Sequence, residues 1–203
     1  MNRGDKRSPK GPETTAEQRR VRAFLAVPIP DEVLQATQRV RAELAGELPG
    51  VRWVRPEGIH LTLKFFGSIP EEELDKIGEI MLSVGTLHSP FRVRAAGLGT
   101  FPSPGRPRVI WVGIADGESL PALHRDLEEG LEQIGIPAEG RPFHPHLTLG
   151  RARERLPPIG EIIAAHRQLA CGTIPVDELV LYESRLGSGG ARYIPRKRFA
   201  LGG

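Results

Sequence analysis

Apolar positions recur in two rhythms along this chain, and the switches between them predict its elements. A short apolar run over residues 21–28 ends in Pro-Ile-Pro and reads as a strand. Asp31 follows as a candidate N-cap for a helix to about residue 45, with Val33, Leu34, Thr37, Val40 and Leu44 on one face. Strands are predicted at 51–54 and 59–66, then a helix opening at Pro70 whose Glu-rich first turn suits the helix dipole and whose buried face is Leu74, Ile77, Ile80, Met81 and Val84. Residues 91–98 and 109–115 read as strands around a Pro- and Gly-rich turn, and 120–134 as an amphipathic helix. A strand at 146–149, a helix over about 158–167, and strands at 174–184 and 192–201 joined by a Gly-Ser-Gly-Gly loop complete the chain. The order helix, strand, helix, strand occurs twice without the regular alternation of parallel βαβ units, so the expected class is α+β with largely antiparallel sheet and weak internal pseudo-symmetry.

Residues 1–19 hold almost no apolar side chains and cannot bury enough surface to offset their ordering entropy, so they are expected to be a disordered basic tail, with residues 20–203 forming a single domain. The tail also localises the charge. Residues 1–20 carry six Lys/Arg against three Asp/Glu, which is the whole formal excess of +3, and the body is electroneutral. Phosphate affinity must then come from local clusters, the candidates being Arg92, Arg94, Arg106 and Arg108, and Arg185, Arg192, Arg196, Lys197 and Arg198. The chain has no apolar stretch near the roughly 18 residues of a membrane span, and its N-terminus is charged, so no membrane partner and a cytoplasmic location are expected. The single Cys171 has no neighbouring His to activate it and reads as a bystander.

Chemistry enters with a repeat. His60-Leu61-Thr62-Leu63 recurs as His146-Leu147-Thr148-Leu149 in a chain with six histidines. In a strand each His and its Thr share one face and the leucines the other. One copy would be an ordinary half-buried strand. Two copies, each followed by a helix, point to a site with two imidazoles and two hydroxyls. One imidazole can act as general base while the other acts as general acid, which suits displacement at a phosphodiester without a metal. The hydroxyls can donate hydrogen bonds to phosphate oxygens. His144 shares a His-Pro-His segment with His146, but no Cys or carboxylate cluster flanks the pair, so no metal and no cofactor are expected.

The paired motifs, the run from Arg141 to Arg151 (RPFHPHLTLGR) and the ending from Arg192 to Leu201 (RYIPRKRFAL) resemble the RNA 2′,3′-cyclic phosphodiesterases, the bacterial 2′-5′ RNA ligase family of the two-histidine phosphoesterases. The similarity runs from about Arg22 to Leu201. It implies two pseudo-symmetric lobes with helices outside and a cleft between, and hydrolysis of RNA 2′,3′-cyclic phosphate ends to 2′-phosphomonoesters. By the same resemblance His60 would be the proton donor to the departing 3′ oxygen and His146 the proton acceptor from water, with Thr62 and Thr148 holding the phosphate. Nothing in the sequence itself tells the two histidines apart. The same site could instead join tRNA half-molecules through a 2′-5′ linkage, and a non-catalytic RNA-binding module is the reading of a different class.

Arg151 matches the family's phosphate-contacting arginine, although strict alternation from His146 would turn it to the back unless the strand breaks or bulges at Gly150. Phe65 takes its place after the first motif, and Lys64 is a weaker phosphate candidate. Trp53, Phe24 and Tyr193 are the candidates for lining the cleft against RNA bases, and Trp111 reads as core. A monomer acting on RNA with cyclic phosphate ends is the overall expectation.

Overall fold

The computed structural model describes residues 19–115, 117–187 and 190–202; residues 1–18 of the expected tail lie outside them. Nine strands and four helices follow in order: β1 (Arg20–Val27), α1 (Asp31–Glu47), β2 (Val51–Trp53), a 3-10 turn (Pro56–Gly58), β3 (Leu61–Pro70), α2 (Glu73–Gly85), β4 (Phe91–Phe101), β5 (Val109–Ala115), α3 (Ser119–Gln133), β6 (His146–Ala152), α4 (Gly160–Ala165), β7 (Ala170–Val176), β8 (Glu178–Gly187) and β9 (Gly190–Ala200). The class is α+β, and the paired strands run antiparallel in the order β7-β4-β5-β6-β3-β1-β8-β9, with β2 added to β6.

This order has a symmetry hidden in sequence. Reading outward from the β3–β6 seam gives β1, β8, β9 on one side and β5, β4, β7 on the other. The strand that follows the first motif and α2 is β4, which joins the second half, whereas β8, downstream of the second motif, joins the first. The helices cross as well. α1 leaves β1 but packs on β7 of the opposite half, and α3 packs on α2, which itself lies against β9, β8 and β3. One hydrophobic core runs under both halves, from Leu25, Leu61 and Leu181 to Ile110, Leu147 and Ile174, each fully buried. The crossings bind the halves together because neither can shed its helix without exposing the core of the other.

Four elements differ from the pattern read in sequence. Residues 174–184 form two strands, because Asp177 ends β7 at one edge of the sheet and β8 begins in the other half; both stretches are apolar, so composition hides the break. Pro70 closes β3, where Gly67 at φ 70° and a bulge let pairing reach Arg20↔Pro70, and α2 starts three residues later. Pro30 holds the N-cap position of α1 without a side-chain hydrogen bond, leaving Asp31 inside the first turn, where its charge still suits the dipole. His60 precedes β3 and follows the 3-10 turn. Among the described residues, no helix is long and apolar enough to cross a membrane.

Candidate active site

The two motif strands meet at a single paired position, Leu61↔Leu147, with both leucines on the core face. Moving one residue along in each direction sets His60 opposite Thr148 and Thr62 opposite His146, all four on the other face. Each strand then carries the same irregularity. Against β1, Thr62 pairs with Ala26 and Lys64 with Leu25, so Leu63 is an extra residue. Against β5, Thr148 pairs with Trp111 and Gly150 with Ile110, so Leu149 is extra. A bulge inverts the alternation beyond it. The break considered at Gly150 is therefore present, one residue earlier, and it returns Arg151 to the histidine face beside Val109. Phe65 arrives at the corresponding place beside Phe24.

His60 sits in an aromatic nest, its ring centroid 4.6 Å from Phe24 and 5.0 Å from the edge-on ring of Tyr193. Burial lowers its pKa to about 4; its neighbour Gly58 opposes the shift, and the charges of His146 and Arg151 add to it. Its Nδ1 is buried and has no hydrogen-bond partner among the described residues. Burial also lowers His146, opposed by its hydrogen bond to the backbone of His144 and reinforced by Arg151 and the His144 ring. That hydrogen bond runs from Nδ1 to the His144 carbonyl at 2.6 Å. A carbonyl only accepts, so Nδ1 carries the proton and neutral His146 keeps the Nε2 lone pair free. His144 thus contributes its backbone to the site, while its ring lies 6.1 Å from Phe101.

The other expected residues separate. Tyr193 is half-buried and, with Phe24, Tyr182, Ile59 and His60, borders a hollow of about 180 Å³. Phe24 is only 2% exposed, covered by His60, Tyr182, Tyr193 and Phe65, so it supports the ring of His60 and offers no free face to a base. Trp53 pairs with Gly150 and lies on the core side, where a Cβ on Gly150 would come within 2.9 Å of its ring. Trp111, read as core, stands on the histidine face instead, since its neighbours Ile110 and Val112 are the fully buried ones. Lys64 is 2% exposed and bonds Glu128 and the Pro137 carbonyl, each at 2.8 Å, so it is unavailable to phosphate. In the C-terminal cluster Arg185 and Arg196 pair with Glu183, Arg196 also with Glu71, Lys197 with Asp75 and Arg198 with Glu178. Arg151 is a cation whose field reaches both histidines.

Sequence reasoning missed Tyr182, which stacks on Phe24 at 5.2 Å and reaches the hollow. Its signal was weak, because β8 reads as an apolar run. Cys171 is buried in β7 and burial pushes its thiol up. His88 bonds Asp126, His124 stacks on Phe143, and His166 donates from Nδ1 to the Ile162 carbonyl at its own helix end. Among the described residues no three His, Cys, Asp or Glu side chains gather as metal ligands would.

A sheet with a twofold-repeated strand order and one His-x-Thr strand from each half at its seam defines a two-histidine phosphoesterase class. The model of the LigT like phosphoesterase family matches residues 27–111 and again 112–193, one motif in each match, and the chain belongs to that family. An RNA 2′,3′-cyclic phosphodiesterase of Archaeoglobus fulgidus is 33% identical over 85% of this chain and 96% of its own length. One from Methanothermobacter thermautotrophicus is 32% identical over 90% of this chain and all of its own. Among solved structures, one from Thermus thermophilus superposes with TM-score 0.76 at 32% identity, covering 89% of this chain and 97% of that one. E. coli LigT complexed with 3′-AMP gives 0.73 at 27% identity, covering 90% and 99%.

Proposed function

We propose that the protein hydrolyses RNA 2′,3′-cyclic phosphate ends to 2′-phosphomonoesters by paired-histidine acid/base catalysis without a metal. The observation that carries this reading is the seam itself, where two imidazoles and two hydroxyls share one face with Arg151 in electrostatic reach of both rings. In the free protein burial keeps both imidazoles largely neutral near pH 7. An anionic phosphodiester between them favours the protonated form of its neighbour. His146, with Nδ1 held by the His144 carbonyl, takes a proton from water through Nε2. The water oxygen bonds to phosphorus as the P–O3′ bond breaks, and His60 delivers its proton to O3′, leaving the phosphate on O2′. Thr62 and Thr148 donate to the non-bridging oxygens and Arg151 offsets their charge. Tyr193 and the hollow beside His60 take apolar surface of the RNA.

The test is turnover of a 2′,3′-cyclic nucleotide in the presence of a chelator, with identification of the product end. We expect a 2′-phosphate, and loss of at least about a hundredfold in His60→Ala and His146→Ala. Full activity in both variants refutes the reading, and a 2′-5′-linked product would make ligation the reaction.

A further inference from the structure

We propose that Trp111 is the stacking platform for the base of the nucleoside that carries the cyclic phosphate, and so a specificity-determining residue. The inference rests on the phosphodiesterase reading above. Three observations place it. Trp111 is registered with Thr148 on β6 and with Gly99 on β4, in the middle of the histidine face of the second half. Its six-membered ring lies flat on Gly99, where a Cβ would come within 2.1–2.5 Å of three ring carbons, and Gly113 opens the adjoining space, its Cβ position 3.2 Å from the same ring. With one face of the indole against the strand, the other faces away from the core. Phe101 borders it at 5.2 Å, and His146 stands 6.1 Å from the indole and edge-on to Phe101 at 5.0 Å.

A base laid on this ring is about one ribose away from a phosphate held at His146 and Thr148, the reach of a nucleoside to its own cyclic phosphate. Of the neighbouring aromatics, Phe65 is exposed but stands beside Phe24 in the first half, on the side of His60. Phe24 is covered, and Trp53 faces the core. In the first half the register position equivalent to Trp111 is Ala26, and the one equivalent to Gly99 is Val180. The platform is thus confined to the half that also carries Arg151. The buried indole N–H has no hydrogen-bond partner among the described residues, so the ring's position is not one chosen for hydrogen bonding. Stacking is tolerant of base identity and stronger for the larger purines, which predicts a preference by ring size with little readout by hydrogen bonds.

The test compares 2′,3′-cyclic AMP, 2′,3′-cyclic UMP and a base-free five-membered diester, glycerol 1,2-cyclic phosphate. Trp111→Ala is expected to lower kcat/KM for cyclic AMP about tenfold or more, chiefly through KM, with a smaller loss for cyclic UMP and a change within about twofold for the base-free diester. Trp111→Phe should recover part of the loss. Gly99 has no left-handed φ, so Gly99→Ala changes only the space the indole occupies and should reproduce the Trp111→Ala pattern. A readout free of turnover is tryptophan emission on titration with 2′-AMP: quenching should persist in Trp53→Phe and vanish in Trp111→Phe. Equal losses on all three diesters, or quenching retained in Trp111→Phe, overturns the inference alone. Failure of the wild-type protein to turn over any of the three overturns the phosphodiesterase reading and the inference with it.

Discussion

Replacing Lys64 by Met tests whether the two motifs are held in register by a buried ion pair. Lys64 directly follows the first motif, yet its side chain leaves the site and crosses to α3, where Nζ lies 2.8 Å from one carboxylate oxygen of Glu128 and 2.7 Å from the other. Glu128 also accepts the Glu139 amide at 2.7 Å, and Nζ donates to the Pro137 carbonyl. The pair therefore pins the start of the segment that runs through Phe143 and His144 into His146. The side chains are 3% and 11% exposed, so solvent screens them little. Met fills the Lys stem but leaves a buried carboxylate with one amide partner. Breaking such a pair costs about 3–5 kcal/mol, and the retained Glu139 bond places the expectation near the lower end, about 3 kcal/mol. In urea unfolding this is a midpoint shift of about 1 M or more. Lys64→Met/Glu128→Leu removes both charges and should recover most of the loss, because it leaves no uncompensated ion. Activity of the single variant should fall in kcat more than in KM, since the displaced group is the base proposed for the reaction and not a substrate contact. A single-variant cost below about 1 kcal/mol, or a double variant worse than the single, would refute the reasoning.

Because burial lowers both imidazoles, kcat/KM should peak below pH 6.5 and fall about tenfold per unit above its upper limb, with the kcat profile displaced to higher pH by the bound anion; a kcat/KM that is flat or rising from pH 7 to 8 contradicts this. His60 also links stability to pH. Between its unfolded value of 6.5 and its folded value of about 4, the unfolded chain binds a proton the folded chain refuses, so stability drops on acidification through that window, by up to about 3 kcal/mol. Urea midpoints at pH 7 and 4.5 should differ less in His60→Gln than in the wild type. Gly150→Ala would set a Cβ 2.5 Å from Val51 and 2.9 Å from Trp53, which should cost about 1–3 kcal/mol in thermal or urea unfolding; an unchanged midpoint would show that β2 yields freely.

Local pattern was enough for much of this molecule. The repeated His-Leu-Thr-Leu placed each imidazole and hydroxyl on one strand face, because side-chain alternation is a property of the extended backbone alone. The buried faces of α1 and α2 were legible from helical spacing, and so was the α+β class. The choices that failed were those between faces within strands apolar on both sides. In residues 109–115 (VIWVGIA), alternation gives no contrast, so nothing in the sequence could tell whether Trp111 joined the core or the cleft. For Trp53 the contrast was present, since Arg52 marks the outer face of β2 and leaves Trp53 with Val51 on the core side. Lys64 looked solvated because its partner Glu128 is sixty-four residues away.

Taken alone, the sequence determined which chemical groups exist and which of them share a strand face within four residues. Tertiary structure decided the rest. It joined the motifs at Leu61↔Leu147, inverted the faces beyond each with a bulge at Leu63 and Leu149, and so brought Arg151 to the histidines. Face and register depend on pairing between distant strands and on which side the helices cover, and those are decided by burial of the whole core and by no local run of residues.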